Sequence, residues 1–128
     1  MKKKKTIENT RKKIIVVDDL SIQLLSTRKR LKEHYEVYPA QSADILFEAL
    51  ENIRPELILL DLNMPDTDGY ETLKKLKADS RYADIPVILF TSENKKEVLE
   101  KGKSLGAADY VTKPYSNADL IECIERYI

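Results

Sequence analysis

The chain is short of the residues that staple, kink or coordinate. It has one cysteine, Cys123, so no internal disulfide and no cysteine zinc cluster can form, which suits a reducing compartment. Three glycines and five prolines among 128 residues exclude collagen-like and linker compositions. With so few glycines there is no GxGxxG, and the dinucleotide-binding reading falls away. His34 is the only histidine; it lies at a predicted helix end, far from every strand-end acid, which argues against a Ser-His-Asp triad and a phosphohistidine carrier. No apolar run approaches the length of a membrane span, and no apolar segment follows the basic N-terminus to make a signal peptide. These absences predict a cytoplasmic protein without membrane insertion.

What remains is a chain that is 42% hydrophobic with 22 basic and 22 acidic side chains, enough for one core and too apolar for disorder. The net charge of zero hides a segregation: residues 1–13 carry seven bases against Glu8, a net +6, and the other 115 residues are −6. A basic arm can touch nucleic acid or anionic lipid, but no aromatic or amphipathic pattern accompanies this one. Residues 1–13 therefore read as a solvated, disordered extension, residues 14–128 as the folded domain, and the acidic body argues against direct nucleic-acid binding.

Short apolar runs alternate with amphipathic stretches. Ile14–Val17, Leu57–Leu60, Ile85–Phe90 and Ala108–Val111 suit strands buried on both faces of a parallel sheet, with a weaker strand at Tyr35–Tyr38. Helical spacing joins Ala43, Leu46, Phe47 and Leu50; Leu120, Ile121, Ile124 and Ile128; Ile22, Leu25 and Leu31; Tyr70, Leu73 and Leu76; and Val98, Leu99 and Leu105. Five strands and five helices in alternation predict an α/β fold, a flavodoxin-like sheet of order 2-1-3-4-5 with helices on both faces.

Ligands in such sheets bind at the carboxyl ends of the strands, so the residues that stop the strands matter. These are Asp18-Asp19, Asp61, Thr91-Ser92 and Lys113-Pro114. The strand order predicts that three carboxylates, a hydroxyl and an ammonium converge on one edge. Clustered carboxylates need a cation or a proton, and oxygen ligands without nearby His or Cys favour Mg²⁺. Mg²⁺ with a lysine beside a free carboxylate suits phosphoryl transfer, with Asp61 as the nucleophile. Gly102-Lys103-Ser104 imitates the end of a phosphate loop, but Glu97 stands where the first glycine is required and the segment reads as helix. Cys123 reads as an inert, partly packed thiol within the last helix.

Four motifs, IIVVDDL at 14–20, LILLDLNMPDTDGYE at 57–71, PVILFTSE at 86–93 and GAADYVTKPY at 106–115, resemble the receiver domain of two-component response regulators, particularly the stand-alone chemotaxis kind. The resemblance implies Asp61 as phosphoacceptor and Asp19, Asp61 and the Asn63 backbone carbonyl as Mg²⁺ ligands, with Asp18 acting through a water. It implies Lys113 as the phosphoryl-contacting lysine before a cis bond to Pro114, and Thr91 and Tyr110 as a switch pair. Pro65 and Gly69 fit the turn after the phosphoacceptor. Asn63 and Glu93 occupy positions that influence phosphoryl lifetime in the family, and this pair implies a short-lived aspartyl phosphate. Departures are small: Ser92 for the commoner alanine, Glu56 for aspartate, and no glycine at Gln41-Ser42. The implied partners are a histidine kinase or phosphotransfer protein and a downstream protein, with a phosphorylation-dependent dimer also open. The chain itself supplies no DNA-binding output domain and catalyses only its own phosphorylation and dephosphorylation. The alternatives are a phosphorylation-independent binding module, a flavodoxin-type electron carrier, whose flavin phosphate Asp18-Asp19 would repel, and a carboxylate-nucleophile phosphatase, which normally needs a larger cap.

Overall fold

A computed structural model of the chain describes residues 11–65 and 67–128. Among them the order is β1 (Lys13–Val17), α1 (Ser21–Leu31), β2 (Glu36–Ala40), α2 (Ala43–Leu50), β3 (Leu57–Asp61), α3 (Gly69–Ala78), β4 (Val87–Thr91), α4 (Lys96–Ser104), β5 (Asp109–Thr112) and α5 (Asn117–Glu125). The strands form one parallel sheet in the order β2-β1-β3-β4-β5, as the alternating pattern predicts.

Every second strand residue points to the same face, and the sheet sorts its aliphatics by that rule. Ile14, Val16, Leu57, Leu59, Ile88 and Phe90 pack with Leu24 and Leu31 of α1 and Leu120 and Ile124 of α5. Ile15, Val17, Ile58, Leu60, Val87 and Leu89 pack on the other face with Leu46, Leu50, Leu73 and Leu76 of α2 and α3, flanked by Leu105 and Ala107 after α4. The central strands are buried on both sides, which is why they read as unbroken apolar runs rather than alternating ones.

Local chemistry sets the element ends. Ser42 caps α2 by accepting from the Ile45 N–H, and Asp68 caps α3 by accepting from Tyr70 and Glu71. Ser116 caps α5 through the Asp119 N–H. β4 begins at Val87, two residues later than the apolar run suggests, after Pro86. β2 continues through Pro39 to Ala40 because it is an edge strand, where a missing N–H costs no ladder bond. Gly106, at φ 106°, occupies a conformation that L side chains rarely adopt, and turns the chain from α4 into β5.

Two expectations need correction. The spacing of Ile22, Leu25 and Leu31 suggests a buried α1 face, but the helix buries Leu24, Thr27 and Leu31 and leaves Ile22 81% and Leu25 65% exposed. The stripe rotates because Leu24 and Thr27, at i−7 and i−4 from Leu31, share its side. The disordered extension lies outside the described residues for 1–10; beyond that, Lys13 already pairs with Glu36 and opens β1. Arg11 donates to the Lys32 carbonyl at 2.6 Å and Lys12 to the Ile128 carbonyl at 2.6 Å. No described helix is long and apolar enough to cross a membrane.

Candidate functional site

Three charged residues meet at the carboxyl edge of the sheet because they share strand parity. Asp18 follows Ile14 and Val16, Asp61 follows Leu57 and Leu59, and Lys113 follows Val111, so all three lean toward the α1/α5 face. Asp61 ends β3 and is 2% exposed; its Oδ2 accepts from Lys113 Nζ at 3.0 Å and its Oδ1 from the Asn63 N–H at 2.8 Å. Asp18 is equally buried and its Oδ1 accepts from the Leu20 N–H at 3.0 Å. Burial pushes the Asp18 carboxyl up from its ordinary 3.8 to about 6; the facing Asp61 carboxylate adds to the rise, and the Leu20 N–H and Lys113 oppose it. Two buried carboxylates thus share one ammonium.

Of the three carboxylates expected at this edge, Asp18 and Asp61 face each other. Among the described residues no three His, Cys, Asp or Glu side chains gather closely enough to hold a metal ion together. Asp19 follows at the bend after β1 and stands half-buried. The donor chemistry still fits a hard cation. Mg²⁺ keeps several waters and asks for only one or two carboxylates, and the buried Asp18–Asp61 pair with the carbonyl beyond it meets that demand.

Thr91 ends β4, is 2% exposed, and turns its hydroxyl into the following loop, accepting from the Glu93 N–H at 3.0 Å and donating to the Glu93 carbonyl at 3.3 Å. Tyr110, in β5, packs half-buried on the opposite face of the sheet, with Lys103 Nζ 5.9 Å from its ring centroid. The Lys113–Pro114 peptide bond is cis, and the Lys113 N–H donates to the Thr91 carbonyl at 2.8 Å, which fixes the lysine against β4. Pro65 is exposed, while Gly69 is buried where a Cβ would stand 2.6 Å from Leu62 Cδ2. His34 is exposed, Gly102-Lys103-Ser104 lies within α4, and the buried Cys123 thiol is pushed by burial up to about 11.

Two features escaped the sequence. The Asn63 side chain bridges to the next loop, its Oδ1 accepting from the Ser92 N–H at 2.9 Å. A cleft of about 460 Å³ opens beside Asp18 and Lys113, walled by Gln23, Thr27 and Arg30 of α1 and by Tyr115 after β5. Arg30 lies 5.3 Å from the Tyr115 ring centroid, and that ring rests on Phe90. Such walls join residues 85 apart in the chain, and no local pattern announces them.

This edge, with its acid pair, lysine and hydroxyl above a 2-1-3-4-5 sheet, belongs to a recognisable class. The model of the response regulator receiver domain matches residues 14–125, and the chain belongs to that family. Among its relatives, sporulation initiation phosphotransferase F of Bacillus subtilis is 30% identical over 117 residues, covering 91% of this chain and 93% of that protein. The structure of chemotaxis protein CheY4 of Vibrio cholerae is similar at a TM-score of 0.88 and 27% identity, over 93% of this chain and all of that one. A CheY-like receiver of Methanospirillum hungatei matches at 0.82 and 32% identity, over 91% and 93% of the two chains. The chain spans 23% and 48% of the length of two other curated relatives, so it corresponds to one part of those longer proteins.

Proposed function

We propose that this receiver accepts a phosphoryl group on Asp61 from the phosphohistidine of a histidine kinase or phosphotransfer protein. The observation that carries the reading is the Asp61 carboxylate, buried at a strand end with Lys113 Nζ 3.0 Å away. A carboxylate oxygen of Asp61 attacks phosphorus in line, the P–O bond forms, the P–N bond breaks, and the departing imidazole nitrogen takes a proton. Lys113 neutralises charge on the phosphoryl oxygens, and the Asn63 N–H holds the other Asp61 oxygen in place. Bound Mg²⁺ supplies further neutralisation of those oxygens; Asp18, Asp19, Asp61 and the Asn63 backbone carbonyl would hold it. The cleft between α1 and Tyr115 gives the donor its approach.

The new group brings a charge of about −1.5 to −2 into this site. The Thr91 hydroxyl, bonded now only within its own loop, turns toward the phosphoryl oxygens, and Tyr110 on the far side of β4 and β5 turns inward. The changed face of α4, β5 and α5 is then read by a downstream protein. Asn63 and Glu93 set a short phosphoryl lifetime. The compartment of such a partner system is the cytoplasm.

Intact mass after incubation with acetyl phosphate tests this. One phosphoryl adduct that requires Mg²⁺ and is lost on chelation and in Asp61→Asn supports the reading. No adduct under any condition turns the protein into a phosphorylation-independent binding module.

A further inference from the structure

Of the five described helices, α4 is the one least held by burial. Its nine residues, KEVLEKGKS, include five charges; it buries Gly102 alone, and its N-cap Lys95 makes no side-chain bond. The other helices bury between two and four residues each. A Cβ on Gly102 would stand 2.6 Å from Leu89 Cδ1, so at that point α4 meets β4 with bare backbone. Tyr70, from α3, ties the helix down. Its hydroxyl donates to the Val98 carbonyl at 3.2 Å, and Lys101 Nζ stands 4.4 Å from its ring centroid. Val98 and Lys101 are three residues apart and so share one side of α4. A carbonyl has two lone pairs, so Val98 can accept the phenol without giving up a helical bond. Burial, then the Glu93 and Asp68 carboxylates, push the phenol above its ordinary value, and at neutral pH it stays a donor.

The two ends of this tie rest on the two sides of the site. Tyr70 is fixed to the Asp61 end of β3: its N–H donates to Asp68 Oδ1 at 2.9 Å, and a Cβ on Gly69 before it would stand 3.4 Å from the Asp61 carbonyl oxygen. Val98 belongs to the helix that follows Thr91, whose hydroxyl accepts from the Glu93 N–H at 3.0 Å. We propose that Tyr70 is a positioning residue of the phosphoryl site: it holds α4, and through it the loop of Thr91 and Glu93, in the phosphoryl-free arrangement. This rests on the reading of Asp61 as phosphoacceptor. When the Thr91 hydroxyl turns to a phosphoryl oxygen it releases the Glu93 N–H, and the loop leading into α4 changes course. The Tyr70 bond opposes that change, because the Val98 carbonyl moves with the helix. A tie made only in one arrangement lowers the population of the other, and by linkage it lowers the readiness of Asp61 to be phosphorylated. Tyr70 touches no reacting atom; it acts through α4.

Hydrogen–deuterium exchange read by mass spectrometry, on the full chain without phosphodonor, tests the tie. Tyr70→Phe keeps the ring under Lys101 and removes only the hydroxyl. Peptides from residues 96–104 should then exchange about fivefold faster, the factor for one neutral hydrogen bond, with β1 and β3 unchanged. Acetyl phosphate with Mg²⁺ tests the coupling: by intact mass, the Tyr70→Phe adduct should form about threefold faster than the parent's. Lys101→Met, which removes the ammonium over the ring, should move both readouts in the same direction by about twofold. A merely structural contact, once lost, would loosen α4 without speeding chemistry at Asp61. Unchanged exchange in α4, or faster exchange with adduct formation no faster than the parent's, would overturn the proposal. A parent that takes up no phosphoryl group would instead overturn the reading of Asp61, and the coupling argued from it.

Discussion

Asp18→Asn should stabilise the metal-free protein at neutral pH. The Asp18 carboxyl is 3% exposed and is raised, chiefly by burial, from 3.8 to about 6. At 1.36 kcal/mol per pH unit, that rise corresponds to about 3 kcal/mol of native-state destabilisation once the group ionises. Asparagine keeps an oxygen for the Leu20 N–H and offers the Asp61 carboxylate a donor instead of a second charge. The expected gain is about 2–3 kcal/mol at pH 7.5, a shift of the urea midpoint by about 1–2 M. The sign of its pH dependence follows from the raised value. In the parent, the stability associated with Asp18 is fully present below pH 3.8 and is lost as the pH rises through about 6. The advantage of the variant should therefore be small near pH 4 and complete above about pH 7. Urea unfolding in the presence of chelator at both pH values measures it. Excess Mg²⁺ should largely cancel the variant's advantage, since a cation at 100 times its dissociation constant stabilises the parent by about 2.7 kcal/mol. A variant less stable than the parent at pH 7.5, or a gain equal at the two pH values, would refute the burial of this carboxylate pair as a stored cost of the site.

Lys113→Met removes the ammonium from Asp61, and the rate of adduct formation from acetyl phosphate should fall on the order of 10²-fold, followed by intact mass. Asp109→Asn should destabilise at neutral pH: burial alone would raise this carboxyl, but the Tyr110 N–H, the Tyr127 hydroxyl and Arg126 outweigh it and hold it low. That stabilisation is present above the ordinary carboxylate range and lost in acid, so the unfolding midpoints of variant and parent should converge as the pH falls. Gly106→Ala forces an L side chain to φ 106° and sets a Cβ 2.8 Å from Lys77 Cγ; a loss of about 1–2 kcal/mol by thermal or urea unfolding is expected.

The sheet was legible because its central strands are buried on both faces, and such strands announce themselves as unbroken aliphatic runs closed by Asp, Thr or Lys. Those closing residues are also the site, so Asp18, Asp61, Thr91 and Lys113 could be placed on one edge from strand order alone. Helix faces were less secure. Ile22 and Leu25 are as apolar as Leu24, and only packing against β1 and β2 decides which side of α1 is buried. The cleft wall and the Asn63–Ser92 bond escaped for another reason: each joins segments distant in the chain through one contact.

The most direct test of the account locates the phosphoryl group itself. Protein treated with acetyl phosphate and Mg²⁺ would be reduced with borohydride, which converts an aspartyl phosphate to homoserine, then digested and sequenced by mass spectrometry. The account predicts homoserine at position 61 and at no other aspartate. Modification at Asp18 or Asp19, or an adduct on a residue other than aspartate, would contradict it.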